Sequence, residues 1–485
     1  MAKLSDLSPE EWFKRLSARR DENKRRVNEL WPYYEGTQPM NAVARILAEQ
    51  DNRFPMLTIN WCRKYVRSVD SRSILEGFGY AGEDSFDDDM QRIMRRNELD
   101  LHNSVNNIAT LVTGVSYGMV SPRESDGAAV ITIEDPASMA VERDPVTGEV
   151  IAAIKFWSSD PDKDDEDQSI LHLPGKSGGS QLIRFEKKKQ VDRKTMSWMS
   201  GPAKMQGSGT IPVVEFLNQP RWGKPTSQLV DLMPIVDSAN FVAVSMMATV
   251  LHHAMPRMLA INVAESHFFN EDGTLNREAL KNATGSLWII PAETDDEGEV
   301  LAKPDMPKPD VKELPPSDLR NFHETLSQLA RIGSGLCDLA PTDFGFGISD
   351  NPASEKSIEA SKRERMLGIE RFNRQQGAGY ARLMRYALAV ENKSAEDKVI
   401  EARHRNPATP TKQSMADAAV KTYSEGISDL YQARLDYGYT PNEIRAMEER
   451  ERTAERERGA GLERIMRPTS PSQMPDESEQ DAEAF

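Results

Sequence analysis

Two helical segments, residues 227–255 and 317–336, bracket a short stretch of different periodicity, and this arrangement restricts the chain more than any other feature. The first segment is interrupted only by Pro234. It holds the most apolar run of the sequence, FVAVSMMATVL at 241–251, with Asp237 upstream and His252-His253 downstream. That run is too short to cross a bilayer and reads as a buried helix segment. The stretch between the helices, 256–313, has a strand-like LAINVA, a strand-like SLWIIPA and an acidic turn TDDEGE. It runs into the proline-rich, extended KPDMPKPDVKELPP at 303–316. So small an insert cannot build a core of its own and must lean on neighbours.

The segments before the pair mix both periodicities. Residues 8–31 read as a helix: Ser8 and Glu11 form a capping box, and Pro9 stands at the first helical position. Helical spacing recurs at 59–73 and 86–113. The period then changes to two, with strands expected at AAVITIED (128–135), SMAVERD (138–144) and EVIAAIKFW (149–157), and a turn at DPVTGE. ILHL, QLIRFE and PVVEFL read as further strands, and SSDPDKDDEDQS (158–169) as a charged, exposed loop. After the second helix comes CDLAPTDFGFGISDNP, a loop rich in Gly, Pro and Asp. A long polar helix follows from about Ser354 to Asn392, with weak points at Gly377 and Gly379. Residues 412–458 read as further helices with a turn at GYTP, and the acidic, Pro- and Ser-rich end from Pro468 reads as disordered. The fold class is α+β.

Bulk properties remove several function classes. The 485 residues allow two or three domains. Net charge is -16, so the average surface repels nucleic acid, whose binding is driven by phosphate contacts. The two cysteines, Cys62 and Cys337, form no CxxC, and neither a zinc ribbon nor a disulfide framework is expected. MAKLSDLSPEEW lacks an apolar core after its lysine, so a soluble protein made in a cytoplasm is expected.

Short motifs that carry chemistry elsewhere lack their context here. Gly114, Ser116 and Gly118 give G-x-S-x-G, the pattern of a serine nucleophile on a strand-to-helix turn. The order here is reversed, a helix-periodic NSVNNIATLVTG before and an extended stretch after. Gly114 therefore reads as a helix C-cap and Gly118 as a close-packed turn. A serine hydrolase using Ser116 remains the enzymatic alternative. LPGKSGGS (173–180) has Ile170 where a phosphate loop needs its first glycine, and no helix follows. The acids from Asp160 to Asp167 lack the spacing of a calcium loop. His252 and His253 are adjacent, so they point to different helix faces, and no metal or cofactor site is expected. Phe344 and Phe346, alternating with Gly345 and Gly347, are costly to expose without purpose. They read either as docking against a neighbour or as a working loop tip.

Several segments together resemble the portal proteins of tailed bacteriophages. IPVVEFLNQP followed by SQLVDLMPIVDSANFVAVSMMATVLHHAMPRMLAIN resembles the family's entry into its first stem helix, with the pair Asp237 and Asn240. ELWPYYEG (29–36) and NWCRKYVRSVDSRSILEGF (60–78) resemble its N-terminal landmarks. GVSYGMV with the hairpin around DPVTGEVIAAIKFW resembles its wing, NPASEKSIEASKRERM the start of its long helix, and RLDYGYTPNEI its crown.

The resemblance spans about residues 10–455 and implies a portal fold. Its parts would be a wing at 1–225, stem helices at 226–255 and 314–337, a small α/β clip at 256–313 and a tunnel loop at 338–352. The long helix and return to the wing would occupy 353–410, a helical crown 411–460 and a disordered tail 461–485. It also implies a ring, usually of twelve subunits, at one capsid vertex, through which double-stranded DNA is packaged and ejected. The partners it implies are the terminase large subunit, the major capsid protein, a head-tail connector and a scaffolding protein. The site residues that follow are Asp343, Phe344, Gly345, Phe346, Gly347 and Asp350 in the tunnel loop, and Asp295, Asp296, Glu297 and Glu299 as clip contacts for partners. A capsid adaptor or scaffold without a channel is the remaining alternative, and it would lack the helix–insert–helix unit.

Overall fold

The computed structural model describes residues 7–39, 57–83, 85–160, 162, 166–174, 180–189, 196–206, 211–218, 224–254, 258–263, 287–291, 310–313, 318–345, 355–393, 398–408, 412–439 and 441–466. The chain divides into two compact units, residues 1–407 and 408–485.

The first unit opens with helix α1 (Pro9–Glu35), whose capping box is formed from both sides: Ser8 Oγ accepts from the Glu11 amide, and Glu11 accepts from the Ser8 amide. The helix passes through Pro32 and stops at Gly36, which takes the left-handed conformation with φ 81°. Helix α2 (Trp61–Asp70) leads into strand β1 (Leu75–Tyr80). The stretch 86–113, expected as one helix, is two: α3 (Asp88–Arg96), capped by Asp87, and α4 (Leu99–Thr113). The chain breaks at Glu98, which has φ 48°, a conformation that cannot continue a right-handed helix.

Strands β2 (Val115–Pro122), β3 (Ala129–Glu134), β4 (Met139–Arg143), β5 (Val150–Trp157), β6 (Gln168–Pro174), β7 (Ser180–Lys189), β8 (Met196–Gln206) and β9 (Val213–Leu217) follow. They make two antiparallel sheets, of order β3-β2-β9 and β4-β5-β6-β7-β8. The sequence reading contained no β8, and it placed Ser169 in an exposed loop. Ser169 is instead buried within β6. Alternation along the strands puts Trp12 and Leu16 of α1 against Ala152, Ile154, Phe156, Leu171 and Phe185 on one face of the five-stranded sheet, where Phe13 stacks on Phe185 at 4.2 Å. The other face meets the three-stranded sheet through Val115, Tyr117, Met139, Val141 and Val213.

Helix α5 (Met233–Ala254) starts one residue before Pro234. The proline is therefore an initiator rather than a break, since its missing N–H is free at that position anyway. At 22 residues α5 is about 33 Å long, and its window Met233–Val250 is long and apolar enough, by composition, to cross a membrane. It is also less buried than expected: Phe241 is 46% exposed and Val250 36%. Strands β10 (Met258–Val263), β11 (Leu287–Pro291) and β12 (Asp310–Glu313) form a small mixed sheet with β10 in the middle, parallel to β11 and antiparallel to β12. Helix α6 (Arg320–Leu336) then returns along α5.

A 3-10 turn, Pro341–Phe344, precedes helix α7 (Glu355–Val390). Helix α7 is continuous through Gly377 and Gly379, because both glycines serve close approach rather than weakness. A Cβ on Gly379 would lie 2.4 Å from the Phe216 ring, and one on Gly118 would lie 2.6 Å from Leu383 Cδ1. Gly118 is thus a mid-strand contact point under α7, not a turn. Strand β13 (Ile400–His404) closes the unit by pairing antiparallel with β1.

The second unit holds α8 (Lys412–Ser424), α9 (Leu430–Tyr437) and α10 (Pro441–Met466), with Gly438 ending α9 in the left-handed conformation. Helix α10 runs six residues past the boundary expected at 460, through Met466.

Candidate functional site

Helix α4 ends at Gly114, where φ is 87° and an added Cβ would lie 2.7 Å from the Thr226 backbone nitrogen. The next residues enter β2, so Ser116 follows a helix and sits in a strand, the reverse of a nucleophile elbow. Ser116 is fully buried. Its hydroxyl donates to Asn106 Oδ1 and shares a hydrogen bond of 2.7 Å with Thr110 Oγ1. Asn106 in turn donates to Gln376 Oε1 at 3.2 Å, and Gln376 donates to the Leu217 carbonyl at 3.3 Å. The serine is one member of a polar relay that ties α4, β2, α7 and β9 together, and no substrate reaches it. Ser116→Ala is expected to lower stability by about 1–3 kcal/mol, because it strands buried amide and hydroxyl groups. It should leave assembly intact. Labelling of the wild-type protein at Ser116 by a fluorophosphonate would refute this reading.

The root of the α5–α6 pair is fixed to the rest of the unit by residues from the segments that resemble the family landmarks. Tyr33 donates to Asp237 Oδ2 at 2.9 Å. Burial, and then that hydrogen bond, push the Tyr33 hydroxyl up to about 12, so it stays a donor. Asn240 Oδ1 accepts from the Ile59 amide at 2.7 Å, and Asn60 Nδ2 donates to the Tyr34 carbonyl at 2.9 Å. The pair Asp237 and Asn240 therefore holds α5 against the end of α1 and the start of α2.

The expected tunnel loop begins at the C-terminus of α6. Leu326 and Ala330 of α6, Leu232 and Val236 at the start of α5, Trp61 and Val66 of α2, and Ile369 and Phe372 of α7 share one core. Phe344 belongs to that core. It is 4% exposed and stacks on Trp61 with ring centroids 5.1 Å apart and planes at 27°, while Trp61 Nε1 donates to the Phe344 carbonyl at 3.3 Å. The expectation that this ring is offered to DNA or to a neighbour is thereby corrected: Phe344 packs within its own subunit. The physical reason is the aromatic face that Trp61 presents beside Gly333, where even a Cβ would come within 3.4 Å of the Phe344 ring. Asp343 is exposed, accepts from the Ala340 amide at 3.2 Å and lies 4.0 Å from Lys64 Nζ. Gly345 is exposed with φ 85° and has open space around it. Phe346, Gly347 and Asp350 lie outside the described residues, as do Asp295, Asp296, Glu297 and Glu299 of the acidic turn.

Sequence reasoning missed Arg365. It stands on the stripe that continues through Ile369, Phe372 and Gln376, an arginine at a position of apolar spacing, and that was the available signal. The guanidinium is buried and reaches three acceptors: the Cys337 carbonyl at 3.3 Å, the Tyr65 carbonyl at 3.2 Å and Ser68 Oγ at 2.6 Å. It also lies over the Tyr65 ring at 4.8 Å. Burial lowers its basicity, opposed chiefly by Tyr65. The Cys337 carbonyl belongs to the end of α6, where unpaired carbonyls and the helix dipole favour a cation. Arg365 thus joins α2, α6 and α7 directly under the loop. Cys62 and Cys337 are free and buried nearby, and burial pushes both thiols up to about 12, which leaves them neutral packing groups. Among the described residues no group of three or more His, Cys, Asp or Glu is placed to hold a metal ion.

The described residues form a two-sheet α+β body with a helix–sheet–helix extension, joined by polar relays. Residues 14–456 match the family described as phage portal protein, SPP1 Gp6-like, and the chain belongs to that family. It is 26% identical to the portal protein of Mycobacterium phage D29 over 462 residues, which cover 92% of this chain and 88% of that one. It is 25% identical to the portal protein of Mycobacterium phage L5 over 445 residues, covering 89% and 85%. Among solved structures, the neck of an empty gene transfer agent (GTA) particle computed with C6 symmetry aligns with a TM-score of 0.47 at 13% identity, over 83% of this chain and 95% of that one. The neck of the native GTA particle computed with C12 symmetry gives 0.44 at 12% identity, over 83% and 100%.

Proposed function

We propose that the protein forms a closed ring at one vertex of a tailed-phage capsid, and that double-stranded DNA enters and leaves through its bore. The reading rests above all on the family match across residues 14–456. The half-exposed apolar side chains of the α5–α6 pair agree with it: Phe241, Ile332 and Leu336 are 46%, 45% and 52% exposed in the single chain, as helices awaiting a neighbouring copy would be. A ring of identical subunits needs a heterologous interface, in which one face meets a different face of the next copy. In this reading the clip around β10, β11 and β12 docks the terminase during packaging and the head-tail connector afterwards, with Asp295, Asp296, Glu297 and Glu299 as its acidic contact. The crown lies with the second unit, and the major capsid protein and a scaffolding protein meet the ring from outside. Assembly takes place in the host cytoplasm. In this reading Asp343, Gly345, Phe346, Gly347 and Asp350 are the tunnel-loop residues, and Phe344 fixes the start of the loop. Its acids keep phosphates from sticking, since charge acts over about 10 Å at moderate salt.

Light scattering on purified protein is expected to return about 650 kDa, twelve copies of a 54.4 kDa chain. Reversing the four clip acids to lysine should weaken capture of the terminase or of the connector while that mass is unchanged. A monomer or dimer at every salt concentration would overturn the ring, and undiminished capture of both partners would overturn the clip contact.

A further inference from the structure

Helix α7 carries a charge pattern opposite to that of the chain as a whole. Its buried face is apolar, including Ile369, Tyr380, Leu383 and Ala387. The other face exposes Arg363, Arg371, Arg374, Arg382 and Arg385. The spacing repeats: 363, 374 and 385 are eleven apart, and so are 371 and 382. Eleven residues are close to three whole turns, so 363, 374 and 385 make one nearly straight row, and 371 and 382 make a second row roughly 60–80° further round the exposed side. From Arg363 to Arg385 the line measures about 33 Å. Leu367 and Ala378 lie between them, and the acids Glu364 and Glu370 stand on the same side. Among the described residues only Arg374 has a carboxylate within 4 Å, Glu370 at 3.9 Å, and Arg374 is 80% exposed.

Beside the middle of this line is a cleft of about 340 Å³ lined by Glu370, Asn373, Arg374, His404, Arg405 and Asn406. His404 Nε2 is buried there without a hydrogen-bond partner. Burial holds this imidazole down to about 4, so it is neutral and can donate as well as accept. The cleft therefore adds polar donors next to the arginines.

This exposed arginine-rich side, in a chain of net charge -16, suits an anionic counterpart. The acidic loop at 158–169 is a poor candidate in a second copy, because Glu166 and Asp167 are engaged within the subunit. Glu166 is held by Arg20 at 2.7 Å and Lys24 at 3.2 Å, and Asp167 by Ser159. A straight cationic line of this length matches about one turn of B-form DNA, roughly 34 Å, and arginine pairs with phosphate oxygens bidentately. We propose that the arginine face of α7 binds the phosphate backbone of double-stranded DNA without regard to sequence. This contact is separate from the channel, and DNA that never threads a bore can report it.

The test uses a fluorescent, covalently closed DNA minicircle, which cannot enter a closed ring. Wild-type protein should bind it at about 50 mM salt, with affinity falling steeply as salt rises. The variant Arg363→Gln/Arg371→Gln/Arg374→Gln/Arg385→Gln should bind at least tenfold more weakly at that salt, and its log K against log salt slope should be shallower by about 3–4, close to 0.9 per lost contact. The milder Arg371→Gln/Arg385→Gln should lose about half of that slope and serves if the fourfold change fails to fold. The corresponding Arg→Lys changes should keep most of the slope, and assembly mass should be unchanged in all. Absence of minicircle binding by the wild type would overturn the proposal. So would an unaltered slope in the glutamine variants. Loss of assembly with unaltered minicircle binding would assign the face to a neighbouring subunit instead.

Discussion

Phe344→Ala is expected to destabilise the subunit by about 3–5 kcal/mol, the range for truncating a fully packed phenylalanine. The ring is 4% exposed and shares its core with the start of α5, the middle of α7 and the second half of α6. Its removal leaves Trp61 without its stacking partner, and the Trp61 indole donates to the backbone of the residue being changed. Urea unfolding followed by tryptophan fluorescence measures the loss. The expected signature also includes earlier proteolysis within 338–352, because the anchor that fixes the loop's first half is gone. A change below about 1 kcal/mol would mean that the ring is not packed as described.

Arg365→Ala is expected to cost about 2–4 kcal/mol, and Arg365→Lys to recover less than half of it. Two opposing effects set the size. The buried cation has no carboxylate among its hydrogen-bond partners, so losing it relieves a desolvation cost. Against that, three oxygens lose a charged donor, and one of them is the backbone carbonyl at the end of α6. The Cys337 carbonyl is reached through Nη1 and the Tyr65 and Ser68 oxygens through Nη2, so the planar guanidinium spans two groups of acceptors where a single ammonium cannot. Thermal unfolding of the two variants decides the matter. Equal stability of Arg365→Lys and the wild type would show that charge alone matters at this position.

Local signals in the sequence were read well where one short segment decides its own conformation. The capping box at Ser8 and Glu11 and the left-handed Gly114 are both present as expected, because a cap depends on a few neighbouring residues. The end of α1 was placed too early, since Pro32 removes one hydrogen bond without ending a helix that Gly36 terminates. Strands β1 and β13 were not legible: Leu75–Tyr80 and Ile400–His404 are short, and each is a strand only because the other is there. Gly377 and Gly379 looked like flaws in a helix because their reason, the Phe216 ring and the Ala402 carbonyl, lies elsewhere in the chain. The same holds at the candidate site. Nothing in the FGFG stretch itself marks Phe344 for the core; the position of Trp61, far away in the sequence, does. The family was legible across most of the chain because the order of many packing segments survives where no single motif is distinctive.

The β1–β13 pair has a consequence for synthesis. Ile400 is made more than three hundred residues after Tyr80, its partner in the register. At roughly 5–20 residues per second, β1 leaves the ribosome tens of seconds before the strand that covers its edge. Throughout that interval the nascent chain carries an unpaired edge, open to pairing with other chains. The α5–α6 hairpin and its small sheet are completed within the same interval, inside a body that is not yet closed. A fragment that stops at residue 225 would keep that edge permanently bare. Any fragment meant to fold alone has to include β13, and with it the stretch up to Pro407.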